Sequence, residues 1–535
     1  MTDVNKANVI NLRSRLLAEL TSVGCKVQDG DDEHLLVVRC AADALRTTAA
    51  WLVDEHPYRF ATLVVTARPD DTQIDYWFYG ISGEPWVKVV VPLGRDQRAV
   101  PSISAQVHSA DWHERQAEDL FGLSFSGHPR LGDFVLHEQW SEGFNPMRPD
   151  LDTTQQVAWQ VEDALWKPDA VLRATGAFMM PIGPVYSDYA ESAQFFLETV
   201  GEDVVRMIPR FFFKYRGIEK LAEGKSIDYV LLMMERFSGT GAVAHALAFC
   251  RAIEAMQEIS IPPRGEYLRL LWAEIERIRH HLALISDICH STGMIVPSAD
   301  ADVLEEQALR VCGELAGHRY LYGVVVPGGV TRDLNSGDLG RLRSLLGDLL
   351  SNVRSLYERL EFTGSFLDRF EGVGVVTFAG ARQHGLVGPV ARASALPCDL
   401  RVHLPYGAYR HCRLTTEPLE SEGDGYARIR VLFQEIFSSG ELINQAMGAL
   451  PEGQHRDVVV EPAEPVDALA WVEAPNGAAF HYVRIGQDGC VERLQLTTPS
   501  FTNWHGFHMA AENFAFQDFP IMMASFGLSI AESDR

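Results

Sequence analysis

Hydrophobic and polar positions change their rhythm along the chain. In the first ~135 residues, apolar positions at helical spacing predict a helix around Asn8–Ser22 and another near Ala41–Asp54. Between and after them, β-branched and aromatic runs predict strands at Leu35–Cys40, Ala61–Ala67, Gln73–Tyr79 and Trp86–Pro92. Turn-rich segments separate these runs, so a small antiparallel sheet with flanking helices is expected. Residues 136–175, rich in Trp, Pro, Asp and Gln, keep no sustained period and read as a linker. From Met179 onward long helical periods take over. Helices are expected at Ser226–Ser260 with a break near Gly239–Gly241, at Gly265–Thr292, Ala301–Gly317, Gly337–Thr363 and Tyr426–Leu450. Val324–Val326 and Val373–Phe378 read as short buried strands, and further short strands are expected between Val458 and Leu496. No internal repeat or low-complexity tract is present.

Length changes this picture little: 535 residues exceed one ordinary core, so two or more domains are expected. With 47% hydrophobic and 22% charged residues the chain has the composition of a globular protein. Its net charge of -25 would repel phosphate backbones, which argues against nucleic-acid binding. No apolar run approaches the roughly 18 residues of a membrane span, and the first residues lack an apolar signal core, so the expected location is cytoplasmic. The eight cysteines contain no C-x-x-C pair and read as reduced and mostly buried.

One segment carries a longer pattern. From Glu114 to Arg130, a helix dense in Glu, Arg and Asp would end at Gly122, and Gly127-His128-Pro129 would turn the chain. Taken alone this is a structural motif. It also resembles the signature of the small hydrophilic subunit of respiratory complex I at Glu114, Arg115, Asp119, Gly122, Phe125, His128 and Pro129, departing only at Gln116. The remainder resembles the large subunit shared by complex I and the [NiFe]-hydrogenases. The matching segments, in order, are Ile182–Val185, Tyr215–Lys220, Glu276–Leu282, Pro327–Val330, Gly388–Ser394, Glu473–Pro475 and Pro499–Trp504. The fused order is similar to the formate hydrogenlyase branch of membrane-bound, energy-converting hydrogenases.

The resemblance implies an α+β architecture. Residues 1–135 would form a small hydrophilic-subunit-like domain of helices on a sheet, 136–175 a linker, and 176–535 a mainly α-helical hydrogenase-large-subunit-like domain with small peripheral sheets. It also implies where a metal would sit. In that family two C-x-x-C pairs supply four thiolates to nickel, a donor set suited to a soft-ligand bimetallic centre. The matching positions here are Ser238 and Gly241 after Glu235-Arg236-Phe237, and Ser529 and Glu532 near Arg535. The expectation is therefore a degenerate cage that binds no metal.

The same resemblance implies further site residues. Arg216 and His281 match positions beside an iron–sulfur cluster held by a partner small subunit, where a positive or hydrogen-bonding group tunes the cluster. In complex I a tyrosine and a histidine hold a quinone head group. The tyrosine position matches Ile227, and no histidine lies between Gly183 and Gly201, leaving Tyr186, Tyr189 and Tyr229 as the nearest polar aromatics. On their own residue chemistry these tyrosines would be packing anchors. Glu235, Arg236 and Arg392 complete the candidate cavity, with Arg392 and Arg401 also read as buried ion-pair partners. Gly372-x-Gly374 is only a fragment of a dinucleotide loop and does not imply NAD binding.

Together these readings imply a hydrophilic core subunit of a membrane-associated redox complex. It would hold no cofactor directly, take electrons from a [4Fe-4S] cluster in a partner subunit, and meet antiporter-like membrane subunits on the cytoplasmic face. Two alternatives stand beside it: a structural or regulatory subunit with a dead cavity, and an altered quinone reductase.

Overall fold

A computed structural model describes residues 18–21, 25–29, 34–68, 70–94, 97–141, 143–152, 168–173, 175–185, 191–414, 417, 419–458 and 464–535. Most of the expected helix at Asn8–Ser22 lies outside them, as do Tyr186 and Tyr189 and much of the expected linker. The chain forms two compact units. The first comprises Met1–Asp169 with Arg210–Tyr215 and Gln383–Gly385, and the second the remainder.

The first unit is built on five strands: β1 (Lys26–Asp29), β2 (Leu35–Arg39), β3 (Tyr58–Ala67), β4 (Asp71–Gly80) and β5 (Trp86–Gly94), in the order β1-β2-β5-β4-β3. The aromatic and β-branched runs make these strands because such side chains pack well on a pleated surface. Tyr76, Phe78, Val87 and Val89 are fully buried in it. The sheet is not purely antiparallel. β2 runs parallel to β5, with Leu35 opposite Trp86 and Arg39 opposite Val90. The β2-to-β5 connection carries helix α1 (Leu45–Ala50) and the β3–β4 hairpin, long enough to return the chain in the same direction.

The charged segment becomes helix α2 (Asp111–Phe121), which Gly122 ends in the left-handed region at φ 68°. Its acidic side chains tie neighbouring loops. Glu114, fully buried, accepts hydrogen bonds from Ser102 Oγ at 2.5 Å and the Ile103 N–H at 2.8 Å. Asp119 Oδ2 accepts from three successive N–H groups, those of Phe134, Val135 and Leu136. Each buried backbone donor thereby gains a partner it would otherwise lack.

The second unit is mostly helical. Helices α3 (Ile227–Met234) and α4 (Ala242–Met256) are separated by Glu235–Gly241, where the break was expected. Then come α5 (Pro263–Ser291), α6 (Ile295–Ala316), α7 (Ser336–Glu361) and α8 (Gly425–Ala449). Helix α5 starts with Pro263 at its first turn, where a missing N–H costs nothing. It is buried nearly all round and packs against α6 and α8. Helix α7 opens with a reciprocal capping box between Asn335 and Asp338. Strands β6 (Val466–Ala474), β7 (Gly477–Ile485) and β8 (Val491–Thr497) form an antiparallel meander in the expected region. Among the described residues no helix is long and apolar enough to cross a membrane.

Beside the parallel β2–β5 pairing, two further expectations need correction. Val373–Phe378 is not a strand. Gly372 and Gly374 take positive φ, the segment joins no sheet, and Phe378 starts a short helix. A sheet within the second unit was also missed. Ala177–Ile182, Gln194–Val200 and Asp203–Arg210 pair in sequence, and Glu512–Ala515 adds to the last of them. Its closing strand comes about 300 residues later, so no local pattern marks the pairing.

Gly388 shows where backbone geometry is tight. Its φ is 66°, and a Cβ there would lie 2.1 Å from the Asn476 carbonyl oxygen. Because the obstacle is backbone, Gly388→Ala is expected to cost about 1–3 kcal/mol of stability, read as a lowered denaturant midpoint.

Candidate functional site

Of the four positions expected to match metal ligands, the tertiary fold brings Ser238 and Glu532 into contact. Ser238 lies in the α3–α4 connection, Gly241 at the start of α4, and Ser529 and Glu532 around the short helix α9 (Ile530–Ser533). Ser529 is the N-cap of α9, and its Oγ accepts the Glu532 N–H at 3.3 Å. This short cap turns the Glu532 carboxylate inward, where it is fully buried. Glu532 Oε1 accepts hydrogen bonds from Ser238 Oγ at 3.2 Å and Thr240 Oγ1 at 2.8 Å, and lies 3.4 Å from His245 Nε2. Oε2 accepts the Ser500 N–H at 3.3 Å. Behind it, His245 Nδ1 lies 3.1 Å from His481 Nε2, with the two rings stacked.

The electrostatics give this cluster a direction. Burial alone would push the Glu532 carboxyl up. The His245 hydrogen bond and charge, with Ser500 and Thr240, outweigh it and hold the carboxyl down to about 2. Burial, then His245 and Arg535, keep His481 neutral, its pKa well below the usual imidazole value. The His245 ring lies between Glu532 and His481, its Nδ1 toward His481 and its Nε2 toward Glu532. Glu532, His245 and His481 thus form one buried chain of contacts, in which the tautomers set each donor.

The donor set does not fit nickel. Two hydroxyls, a carboxylate and a glycine stand where soft thiolates are needed, and each oxygen is already committed to a hydrogen bond. Cys250 lies on α4, completely buried, with its thiol raised well above the usual range by burial. Among the described residues no cluster of three or more His, Cys, Asp or Glu side chains has the geometry of a metal site.

His281 belongs to a second buried constellation. Its Nε2 lies 2.9 Å from Glu435 Oε2, and the ring has no exposed surface. Glu435 Oε1 accepts from Arg392 Nε at 2.9 Å, and Arg392 Nη1 also donates to Glu473 Oε1 at 2.9 Å. Arg401 pairs with Asp399 and donates to Glu274 Oε2 at 2.9 Å, while Arg277 donates to the Glu473 and Ala474 carbonyls and lies 3.5 Å from Glu435. Four carboxylates thus face three guanidinium groups in a buried interior. One excess carboxyl has to hold a proton to avoid an unpaired charge. Glu473 has that character: burial and Asp399 push it up to about 7 against the pull of the arginines. Glu435 goes the other way, held well below the carboxylate range by Arg392 and His281 despite burial.

The remaining candidates belong to neither cluster. Arg216 is partly exposed and donates to the carbonyls of Phe237 at 2.7 Å, Ala531 and Asp534, so it ties the α3–α4 connection to α9. Glu235 is buried, but its carboxylate accepts the Gly323 N–H at 2.6 Å and faces Arg236, which lies over the Tyr322 ring. Tyr229 is half exposed on α3, with Lys225 near its ring. His245 and His481 escaped the sequence reading. His245 carries a weak signal, four residues after Gly241 on one helical face. His481 lies on β7 and carries none.

A sheet region carrying the Glu114–Pro129 motif and a helical region after it both match families of oxidoreductase subunits related to NADH dehydrogenase and hydrogenase. Residues 38–157 match the family described as Respiratory-chain NADH dehydrogenase, 30 Kd subunit. Residues 288–466 and 460–535 match Respiratory-chain NADH dehydrogenase, 49 Kd subunit. Formate hydrogenlyase subunit 5 of Escherichia coli is 27% identical over 456 residues, covering 84% of this chain and 79% of that protein. The carbon monoxide-induced hydrogenase of Rhodospirillum rubrum is 29% identical over 67% of this chain and 99% of its own. The NADH-quinone oxidoreductase C/D protein of Chromohalobacter salexigens is 24% identical over 97% of this chain and 95% of its own. The chain is a fusion of complex I 30-kDa-type and 49-kDa-type regions, homologous to these hydrogenase and NADH-quinone oxidoreductase proteins.

Proposed function

We propose that this chain is the fused hydrophilic core subunit of a membrane-associated oxidoreductase complex, in which a carboxylate–imidazole cluster has replaced the nickel cage. In this reading the 1–135 region docks and scaffolds, and the 176–535 region carries the redox-facing surface. A partner small subunit supplies a [4Fe-4S] cluster near Arg216 and His281, and membrane subunits couple electron transfer to ion movement. The observation that carries the reading is Ser238 and Glu532, 294 positions apart, hydrogen-bonded in one buried cluster. Two side chains read as standing at metal-ligand positions are thus close in space and offer hard, hydrogen-bonded oxygens.

The test uses the purified complex. Metal analysis is expected to find iron and no stoichiometric nickel, and nickel near one per chain would end the proposal. Arg216→Ala is expected to lower the midpoint potential of the partner's cluster, followed by EPR, because a positive donor is withdrawn. A second reading, a structural subunit with no redox role, is favoured by the saturated hydrogen bonding of Glu532. Under it Arg216→Ala leaves that midpoint where it was.

A further inference from the structure

The edge of the first unit's sheet holds a pair of thiols that the redox reading does not use. β1 and β2 are antiparallel, with Lys26 opposite Arg39. Continuing that register by one residue sets Cys25 opposite Cys40. The Cys40 N–H donates to the Val90 carbonyl of β5 at 3.1 Å, and the Cys25 N–H donates to Leu20 at 3.2 Å. Backbone groups of successive strand residues point to opposite edges, so Cys40 turns its backbone toward β5 and Arg39 turns toward β1. Cys25 and Cys40 are therefore a non-hydrogen-bonded cross-strand pair. In such pairs the Cα atoms approach to about 4.5 Å, inside the roughly 4.4–6.8 Å that a disulfide spans.

The chemistry of the two sulfurs is unequal. They hydrogen-bond each other, and Cys25 Sγ lies 3.2 Å from Thr48 Oγ1. The hydrogen bond from Cys40, then that from Thr48, outweigh burial and bring the Cys25 thiol down to about 6, while the same contact and burial push Cys40 up. One sulfur is thus a thiolate at neutral pH and its neighbour a protonated thiol, the arrangement of an attacking and a resolving cysteine. Elsewhere Cys250, Cys289, Cys312 and Cys412 are raised by burial, so their thiols stay protonated and unreactive.

We propose that Cys25 and Cys40 form a reversible dithiol–disulfide site that reacts with hydrogen peroxide. The Cys25 thiolate attacks one peroxide oxygen, the O–O bond breaks, and the departing hydroxide takes a proton to become water. The sulfenic acid left on Cys25 is attacked by Cys40, forming the S–S bond and releasing a second water. Two thiols and one peroxide thus give one disulfide and two waters, with sulfur oxidised and peroxide oxygen reduced. The product ties the edge strand β1 covalently to β2, and an external thiol restores the pair.

The full chain, exposed to peroxide, quenched, denatured, alkylated and digested, gives the reading by mass spectrometry. A linked Cys25–Cys40 peptide is expected, with two of the eight cysteines escaping alkylation and full recovery on reduction. Cys40→Ser, which keeps a hydrogen-bond donor beside Cys25 but cannot resolve the sulfenic acid, is expected to trap Cys25 in that form, detected with a dimedone-type probe. Complete alkylation of both residues in the wild-type chain, or Cys25 sulfinic acid without any linked peptide, would overturn the proposal. The wild-type peptide map decides the matter even where the serine variant folds poorly.

Discussion

Arg392→Ala is expected to destabilise the chain by about 3–5 kcal/mol, the cost of breaking a buried ion network by removing one partner. Arg392 has no exposed surface and donates to both Glu435 and Glu473, with Asp399 at 3.7 Å. Alanine would leave four carboxyl groups facing only Arg277 and Arg401. Arg392→Lys recovers little, because one ammonium cannot span the two carboxylates as the guanidinium fork does. Chemical denaturation of the purified variant measures the loss, and a change under about 1 kcal/mol would refute the network account. The loss also depends on pH. Glu473 is raised to about 7 in the folded chain, against roughly 4.3 when unfolded. A raised carboxyl favours folding fully below its unfolded pKa, and that contribution disappears as pH rises through 7. Without Arg392 the proton is held more tightly still, so the variant's deficit is expected to be smaller at about pH 5 than at about pH 8.

Glu532→Gln is expected to cost about 3 kcal/mol near neutral pH. The Glu532 carboxyl is held down to about 2 in the folded chain, and a carboxyl of this kind titrates near 4.3 when unfolded, a difference worth about 1.4 kcal/mol per unit. A depressed carboxyl gives stability that is present above the unfolded pKa and lost as pH falls toward the folded one. The gap between wild type and Glu532→Gln should therefore be constant from about pH 8 to 5 and contract by about 1 kcal/mol per unit below about pH 4. Denaturation at about pH 7, 5 and 3 tests it. A gap independent of pH would mean that Glu532 contributes packing rather than charge. Glutamine keeps the shape but donates from one end, so either Ser238 and Thr240 or the Ser500 N–H loses its acceptor.

The two clusters differ in how they could be found. Glu276–Leu282 was legible as a charged run on a long helix, and the helix formed at Pro263–Ser291 close to the expected bounds. The role of its members was not legible. Glu276 accepts the Val243 and Ala244 N–H groups at the start of α4, Arg277 reaches the β6–β7 hairpin, His280 meets Asn476, and His281 meets Glu435. Helical spacing says which residues share a face. It says nothing about which element, roughly 150 to 200 residues away, brings the partner.

By itself the sequence determined the change from sheet to long helices, most element positions, the α3–α4 break and the family to which the two halves are homologous, because these rest on local periodicity and contiguous motifs. Only the tertiary structure decided that Glu532 turns inward beneath His245, that His481 lies behind it, that the partners of Arg392 are Glu435 and Glu473, and that β2 pairs parallel with β5. Each of these depends on contacts between residues far apart in the chain. The low-dielectric interior strengthens the paired groups and a distant strand supplies the ladder, properties of the assembled molecule that no window of sequence contains.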